Sequence, residues 1–176
     1  MEAITAIYTR QSTKDFIEGK QISSEDLSTI LKCGMTAPVG MRRYDTLHLT
    51  VVQSKELLDE IMDISDMRTA ERPHAPLYKA PTIILVSSRF EREDHIEYAN
   101  VACVIENMTI AATALGLGSV YLWSVIRVLK NNPGLLQKFN LPEGFVPVSV
   151  LALGYPATPF TPKDGPRHEI EVNYIK

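Results

Sequence analysis

The sequence contains little cysteine and no cluster of histidines. Cys33 and Cys103 are far apart in the chain, and each lies in an apolar run with helical spacing. This placement predicts buried free thiols in a reducing compartment and argues against a disulfide. The four histidines are scattered. Neither residue type shows the spacing of metal ligands, so no metal is expected.

Excess positive charge and long apolar segments are also missing. The 18 Lys and Arg are outnumbered by 21 Asp and Glu, which gives a net charge of -3. This balance argues against binding to nucleic acid, whose phosphates attract clustered cations. No run approaches the roughly 18 apolar residues of a membrane-spanning helix, and the first residues lack the features of a signal peptide. We therefore expect no membrane partner and a cytoplasmic location.

The remaining composition is typical of a folded domain. With 176 residues, 45% of them hydrophobic, the chain is expected to form one domain over residues 1–176. Apolar periodicity predicts helices at 2–8, from 23 to about 38, at 54–64 and at 98–115, with helical turns at 125–138 broken at Pro133-Gly134.

Strands are predicted at 48–52, 81–87, 119–122 and 146–153. Residues 81–87 are almost entirely apolar, so this strand is expected to be central and buried on both faces. Residues 65–79, which include Arg68, Arg72 and Pro73, predict an irregular and mobile loop. The tail after residue 156 is rich in proline and is expected to be extended. Strands separated by helices indicate an α+β or α/β sandwich.

Two polar segments are candidates for binding an anion. Arg10-Gln11-Ser12-Thr13-Lys14 follows the first helix, and an Arg in such a loop can hold a phosphate through two hydrogen bonds while a Lys reaches another anionic atom. Local composition alone favours a solvated polar linker. Lys163 and Arg167 lie in the extended tail, where a phosphate clamp and an ordinary solvated tail are both open interpretations.

Two turns are further candidates. In Ala37-Pro38-Val39-Gly40-Met41-Arg42-Arg43-Tyr44 a glycine would let the backbone approach a flat ligand, although a plain helix terminator is the simpler interpretation. Leu115-Gly116-Leu117-Gly118 leads to the single tryptophan, Trp123, at a strand end. Its Gly-x-Gly is not a dinucleotide fingerprint, because it follows a helix, precedes a strand and lacks the third glycine. Both glycines are expected to terminate the helix.

In this order and at these distances, the four segments resemble the nitroreductase family of flavoenzymes over almost the whole chain. The N-terminal loop resembles the family's Arg-x-Ser signature, with Lys14 matching a lysine that some members place beside the flavin. Residues 37–42 resemble its Ala-Pro-Ser-x-x-Asn turn, and residues 112–124 its Ala-Ala-x-x-Leu-Gly-Leu-Gly segment. Gly154-Tyr155-Pro156 with the later Lys and Arg resembles its C-terminal end.

The resemblance implies a fold and a cofactor site. The fold is α+β, a mixed and mostly antiparallel sheet flanked by helices, in an intertwined homodimer with two FMN sites at the interface. The implied FMN-binding residues are Arg10, Gln11, Ser12, Lys14, Tyr121, Leu122, Trp123, Ser124, Lys163 and Arg167, with Pro38, Val39, Gly40 and Arg42 from the other subunit.

The resemblance also assigns roles to some of these residues. Arg10, Ser12, Lys163 and Arg167 would hold the phosphate and ribityl chain. Lys14 would lie near the N1 and C2 oxygen edge, where a fixed cation favours the reduced anion. A backbone N–H near Trp123 would donate to N5.

The implied chemistry belongs to the flavin. NAD(P)H would deliver hydride to N5 and a second substrate would then take the electrons, so no catalytic acid or base is assigned. We expect an FMN-dependent NAD(P)H oxidoreductase acting on nitro compounds, quinones or related acceptors. The alternatives are dehydrogenation or dehalogenation on the same scaffold, a flavin-storing protein with little turnover, and a structural domain without cofactor.

Three positions depart from the family pattern. Val39, Arg42 and Tyr44 stand where Ser, Asn and Gln are common. These changes lie at the expected pocket mouth and therefore concern the substrate more than the cofactor. The chain is also short for the family, which predicts an open pocket.

Overall fold

The computed structural model describes residues 1–65, 69–71 and 74–176, and its elements follow the predicted order. The helices are α1 (Ala3–Thr9), α2 (Ser24–Met35), α3 (Lys55–Ile64), α4 (Ile96–Ala114), α5 (Ser124–Asn131) and α6 (Pro133–Gln137). The strands are β1 (Leu47–Val52), β2 (Thr82–Ser88), β3 (Gly118–Leu122) and β4 (Val146–Gly154). Two 3-10 helices, Gly40–Arg42 and Tyr44–Thr46, follow α2. In the described ranges, no helix is both long and apolar enough to cross a membrane.

The four strands form one sheet in the order β1-β2-β4-β3, and every neighbouring pair is antiparallel. An isolated parallel bridge joins Ser12 to Ser119 on β3. The α+β sheet expected from the sequence is therefore confirmed. β2 lies between β1 and β4 and is buried along its whole length, as its apolar sequence predicted.

Alternating residues of the two inner strands supply a core on each face of the sheet. Ile83 and Leu85 face the core covered by α3, α5 and α6, whereas Ile84 and Val86 face the core covered by α2 and α4. This alternation follows from the two-residue period of a strand. Burial on both faces explains why β2 shows no polar alternation.

Side-chain caps fix the start of two helices. Ser23 Oγ accepts a hydrogen bond from the Asp26 N–H (3.0 Å) and donates one to Asp26 Oδ2 (2.7 Å) at the start of α2. Ser54 Oγ accepts from the Leu57 N–H (3.3 Å) at the start of α3. Both caps satisfy amides that a helix N-terminus leaves free, and both were predicted from the sequence.

The end of α4 depends on Gly116. The Gly116 N–H donates to the Thr113 carbonyl (3.0 Å) and the Leu117 N–H to the Ala112 carbonyl (2.8 Å), which is the Schellman pattern. Gly116 has a φ of +77°, a conformation that glycine adopts without a steric cost. This confirms its predicted role. Gly118 does not terminate the helix, since it is the first residue of β3.

Three other predictions differ from the structure or fall partly outside it. The break between the two helical turns lies at Asn132, and Pro133 begins α6 because its fixed φ suits a first helical position. Cys33 and Cys103 are free as predicted but half-buried rather than buried. In the expected loop 65–79, Arg68, Arg72 and Pro73 lie outside the described residues.

Candidate functional site

The N-terminal loop lies against the outer edge of the sheet. Beyond α1, Ser12 bridges to Ser119 in a parallel arrangement, and the Thr13 N–H donates to the Ser119 carbonyl (2.9 Å). β3 is an edge strand, so its outer side has no neighbouring strand. The loop contacts that side at Ser119, near the start of β3. The loop therefore places Ser12 and Lys14, both exposed, beside the free part of the β3 edge.

The close contact between loop and strand requires glycine at position 118. A Cβ atom on Gly118 would lie 2.7 Å from Thr13 Oγ1 and 3.1 Å from Phe16 Cε1. Thr13 Oγ1 is buried, and it has no hydrogen-bond partner among the described residues. Gly118 thus allows close backbone approach, which is its observed role in place of the predicted helix termination.

The tail returns to the N-terminal loop. The Lys163 N–H donates to Thr9 Oγ1 (3.1 Å). Arg167 Nη2 donates to Gln11 Oε1 (2.8 Å) and to the Thr9 carbonyl (3.3 Å). A bridge between Phe16 and Pro156 holds the start of the tail against the same loop. Two segments that are far apart in the sequence, and that were separately proposed to bind phosphate, therefore meet.

The meeting point is rich in exposed cations. Arg10 lies next to Gln11, and its Nε is 3.7 Å from Glu106 Oε1 on α4, a long contact between partly exposed side chains. Residues 162–168 line an open cavity of about 580 Å³ whose wall includes Lys163 and Arg167. Guanidinium and ammonium groups that are not committed to close ion pairs are available to an anion such as phosphate.

The outer edge of β3 also presents unpaired backbone groups. Since the Ser119 carbonyl points outwards to Thr13, the two-residue period of an antiparallel strand turns the N–H and carbonyl of Tyr121 to the same edge. Trp123, immediately after β3, shows no hydrogen bond from its N–H to the described backbone, and its side chain caps no amide of α5. A flat ligand along this edge would find N–H donors there.

The four predicted residues at the end of β3 differ in orientation. The Tyr121 and Trp123 side chains are 42% and 56% exposed, and Ser124 is half-buried at the start of α5. The Leu122 side chain is buried in the core. By the two-residue period, the Leu122 N–H and carbonyl face β4, where Ser149 Oγ donates to the carbonyl (3.3 Å). Leu122 therefore offers no polar group to a ligand along the outer edge.

The predicted turn at 38–42 is shaped by α4. The Gly40 N–H donates to Asn100 Oδ1 (2.8 Å), and a Cβ on Gly40 would lie 2.5 Å from Ile96 Cδ1. Met41 and Arg42 have φ of +53° and +55°. Two successive residues in the left-handed region make a tight turn that exposes both side chains, together with that of Pro38.

Two residues of this segment have structural roles. The Val39 side chain is 7% exposed and belongs to the core under α2 and α4, so it does not line a pocket mouth. The Tyr44 hydroxyl donates to the Ala37 carbonyl (2.9 Å) and closes the segment on itself. This hydrogen bond gives a physical reason for tyrosine at position 44.

Within one chain, the structure does not bring the 38–42 turn to the N-terminal loop. The turn contacts α4 at Asn100, whereas Arg10 of the N-terminal loop contacts α4 at Glu106. Helix residues at this spacing are roughly 9 Å apart along the axis and about 120° apart around it. The two predicted halves of the site therefore lie on different faces of α4.

Sequence reasoning missed two polar residues in the first turns of α4. Asn100 anchors Gly40, and Glu97, 3% exposed, accepts a hydrogen bond from the Glu91 N–H (3.1 Å) through Oε1. The available signal was two polar residues one turn apart in the first half of α4, where the other residues are hydrophobic. Among the described residues, no group of three or more His, Cys, Asp or Glu is arranged to hold a metal ion.

Comparisons with known proteins agree with this architecture. A nitroreductase from Bacteroides fragilis with bound FMN is 30% identical, with a TM-score of 0.77 over 99% of this chain and 100% of that chain. A nitroreductase from Desulfitobacterium hafniense, 21% identical, has a similar fold, with a TM-score of 0.81 over the full length of both chains.

A sequence relative from Methanothermobacter thermautotrophicus, named as a candidate NADH dehydrogenase/NAD(P)H nitroreductase, is 29% identical over 161 residues. The match spans 89% of this chain and 78% of the relative. The sequence model of the Nitroreductase family matches residues 7–155. The chain therefore belongs to the nitroreductase family.

Proposed function

We propose that residues 1–176 form one FMN-binding domain of an oxidoreductase that uses NAD(P)H to reduce nitro compounds, quinones or related acceptors. One observation carries the proposal: the N-terminal loop and the tail meet at the outer edge of β3, where Arg167 hydrogen-bonds to Gln11. The FMN bound by the similar Bacteroides fragilis protein supports the choice of cofactor.

The residues at the meeting point suit the phosphate end of FMN. Arg10, Lys163 and Arg167 supply positive charge, and Ser12 supplies a hydroxyl donor, all on the side where loop and tail touch. Charge-assisted hydrogen bonds from guanidinium groups are well matched to the oxygens of one phosphate. A second phosphate and an adenine site have no counterpart in the proposed set, so the cofactor is FMN and not FAD.

The β3 edge suits the flat ring system. When bound, FMN supplies two-electron chemistry, in which hydride enters from NAD(P)H and electrons leave to the acceptor. The Trp123 N–H is the proposed donor to flavin N5. Lys14 is the proposed cation at the N1 and C2 oxygen edge, and within the described residues it has no ion pair that would hold it elsewhere.

The proposed role of the protein is to orient the bound flavin and its substrates and to stabilise the charge on the reduced flavin. No side chain is assigned as a catalytic acid or base. One cycle with a nitro acceptor converts the nitro group, NAD(P)H and one proton into a nitroso group, NAD(P)⁺ and water. Because Tyr121 and Trp123 are exposed beside the proposed ring site, solvent can supply the proton.

A second copy of the chain completes the proposed site. Pro38, Gly40 and Arg42 lie on another face of α4 from Arg10, so they would reach a flavin only from the partner of a homodimer. Pro38 and Arg42 are exposed for that contact, and Gly40 is half-buried. We place the protein in the cytoplasm, where the thiols of Cys33 and Cys103 would stay reduced.

Anaerobic addition of NAD(P)H to the purified yellow protein tests the function. Rapid bleaching of the flavin absorbance, followed by recovery when a quinone or nitro compound is added, is the expected result. Extraction of the cofactor should give FMN. A flavin that stays oxidised would indicate storage instead of turnover, and a preparation that remains colourless after FMN addition would refute the cofactor assignment itself.

A further inference from the structure

A small cavity lies between the start of α4 and the turn that follows α2. Its volume is about 10 Å³, roughly the space that one water molecule needs. We call it the Glu97 cavity and define it by Gly40, Arg43, Thr46, Glu91, Glu97 and Asn100. None of these residues belongs to the proposed phosphate site or to β3.

Glu97 is the buried acid of this cavity. The residue is 3% exposed, and its Oε1 accepts a hydrogen bond from the Glu91 N–H (3.1 Å). The other carboxylate oxygen, Oε2, is buried and has no hydrogen-bond partner among the described residues. Glu97 lies in the first turn of α4, where the helix favours a negative charge. A buried carboxylate oxygen still requires a partner of its own.

The charged groups around the cavity balance one another and leave Glu97 over. Arg43 and Arg89 each pair with both Asp45 and Glu91. The ion pair between Arg92 and Asp94 (2.6 Å) completes a cluster of three arginines and three carboxylates. Glu97 therefore adds one surplus negative charge to this cluster.

The nearest basic side chains do not supply the missing charge. Arg92 lies within electrostatic range of Glu97, but its guanidinium is held by Asp94. The His95 ring packs against the Phe90 ring, with the centroids 5.8 Å apart. Within the part of the chain that the structure describes, no basic side chain forms an ion pair with Glu97. Burial of a charge without a partner is costly, so a small cation is favoured at this position.

Other oxygen atoms of the cavity suit a cation as well. The Asn100 Oδ1 atom accepts the Gly40 N–H (2.8 Å) and keeps a second lone pair. The Thr46 hydroxyl donates its hydrogen to the Arg43 carbonyl (2.7 Å), so its oxygen is left as an acceptor. With Glu97 Oε2 these atoms form a set of oxygen acceptors, which hard cations prefer. One uncommitted carboxylate matches the charge of a monovalent ion.

The cavity also joins two parts of the fold. Glu97 and Asn100 belong to α4, whereas Gly40 belongs to the turn and Thr46 follows it. A cation that contacts both sides would hold the turn in one position against the helix. This is the turn that the proposed function places at the flavin of the partner subunit.

We propose that the Glu97 cavity binds a monovalent metal cation, sodium or potassium, which fixes the turn against α4. Glu97 supplies the charge, and Asn100 and Thr46 supply neutral oxygen ligands. The binding of the cation does not depend on the proposed function. Its effect on the flavin rests on the proposed function, because only there does the turn reach a cofactor.

Urea unfolding of the purified protein measures the binding. The solutions contain sodium, potassium or choline chloride at one concentration, so that chloride and ionic strength stay constant, and choline is too large for the cavity. For a Kd of about 10 mM, about 100 mM of the bound ion should raise the equilibrium constant for folding about tenfold relative to choline. The salt that gives the larger effect identifies the preferred ion.

Three variants test the ligands. Glu97→Gln keeps an oxygen for the Glu91 N–H and removes the charge, so the difference between the salts should vanish. Glu25→Gln is the matched control, because Glu25 is the second residue of α2 as Glu97 is of α4, but is exposed and does not line the cavity. It should keep the difference. Asn100→Asp keeps an acceptor for the Gly40 N–H and adds a second negative charge, so the difference should grow.

The proposal is overturned if the native protein is equally stable in all three salts. A difference that persists in Glu97→Gln, or that disappears in Glu25→Gln, would assign the effect to another part of the protein and overturn it too. Should Glu97→Gln fail to fold, Asn100→Asp decides, because a difference no larger than that of the native protein refutes the assigned ligands.

A titration of FMN fluorescence in the same salts tests the link to the flavin. The preferred cation should raise FMN affinity about fivefold, the lower end of common couplings between sites, and FMN should tighten cation binding by the same factor. Glu97→Gln should show neither effect. A cation that stabilises the protein but leaves FMN affinity unchanged would refute the role of the turn. If no FMN binds in any salt, the proposed function fails, while the urea result still decides whether the cation binds.

Discussion

Replacing Gly118 with alanine is expected to weaken FMN binding, although Gly118 is not itself a proposed cofactor contact. The new Cβ would lie 2.7 Å from Thr13 Oγ1 and 2.9 Å from Thr13 Cγ2, with Phe16 Cε1 at 3.1 Å. Thr13 and Phe16 are both buried, so neither side chain has free space into which it can move. The N-terminal loop must then shift away from β3 or remain strained.

The size of the effect follows from the cost of overpacking. An extra methyl group in a well-packed site costs typically about 1–3 kcal/mol. If the free protein relieves this strain by releasing the loop, and the loop must return to β3 to hold FMN, the same free energy appears in the affinity. A cost of that size corresponds to about a 5- to 150-fold loss of FMN affinity.

The assay is a titration of FMN fluorescence, together with urea unfolding of the same protein. Gly116→Ala is the first control, because a Cβ there meets nothing within 4 Å while φ is +77°. It should lower the free energy of unfolding by about 1–2 kcal/mol and leave FMN affinity unchanged.

Thr13→Ala in the Gly118→Ala background is the second control. Thr13 Oγ1 has no hydrogen-bond partner within the described residues, so truncation removes two of the three close atoms without breaking a hydrogen bond. FMN affinity should recover. The prediction is refuted if the Gly118→Ala variant binds FMN as tightly as the native protein, or if its loss of FMN affinity is no larger than that of Gly116→Ala. In either case FMN binding does not require the close contact between the loop and β3.

Four further changes are predicted. Gly134→Ala should raise the free energy of unfolding by about 0.5–1 kcal/mol in urea titrations, because position 134 is inside α6 and a Cβ there meets nothing within 4 Å. Arg43→Gln should lower the urea midpoint at neutral pH. The hydrogen bond from Arg43 lowers the pKa of the Asp45 carboxyl below its usual value of 3.8, so this stabilisation is present above pH 3.8 and the difference should shrink as the pH falls below that value; a difference that grows in acid contradicts it. Arg10→Ala should weaken FMN binding at least about tenfold through lost charge-assisted bonds, whereas Lys14→Ala should lower the flavin midpoint potential and leave oxidised FMN bound. Normal binding in the first or an unchanged potential in the second would remove that residue from the proposed site.

Elements with strong local signals were predictable from the sequence. The apolar run of β2 was long enough to indicate burial on both faces, and the serine before α2 identified its first turn. Gly116 was recognised because only a residue that tolerates a positive φ ends a helix in this way. The sequence resemblance identified the family, which the comparisons confirm.

Contacts between distant segments were not predictable from local pattern. The hydrogen bond between Arg167 and Gln11 depends on the sheet order, which brings the tail after β4 past the loop at β3. Side-chain direction was equally hidden. Motifs identified the segments that contain Val39 and Leu122 as candidate cofactor-binding segments. Whether each of these side chains faces solvent or the core depends on packing against other elements, which a motif does not contain.

The junction of loop and tail sets an order of events during protein synthesis. Thr9 and Arg167 are separated by 158 positions, and a ribosome that adds roughly 5–20 residues per second needs about 8–30 s to pass from one to the other. Throughout that interval the N-terminal half of the proposed phosphate site has no partner. Flavin capture by both halves of the site would therefore come only after all four strands, the last of which ends at Gly154, have been synthesised.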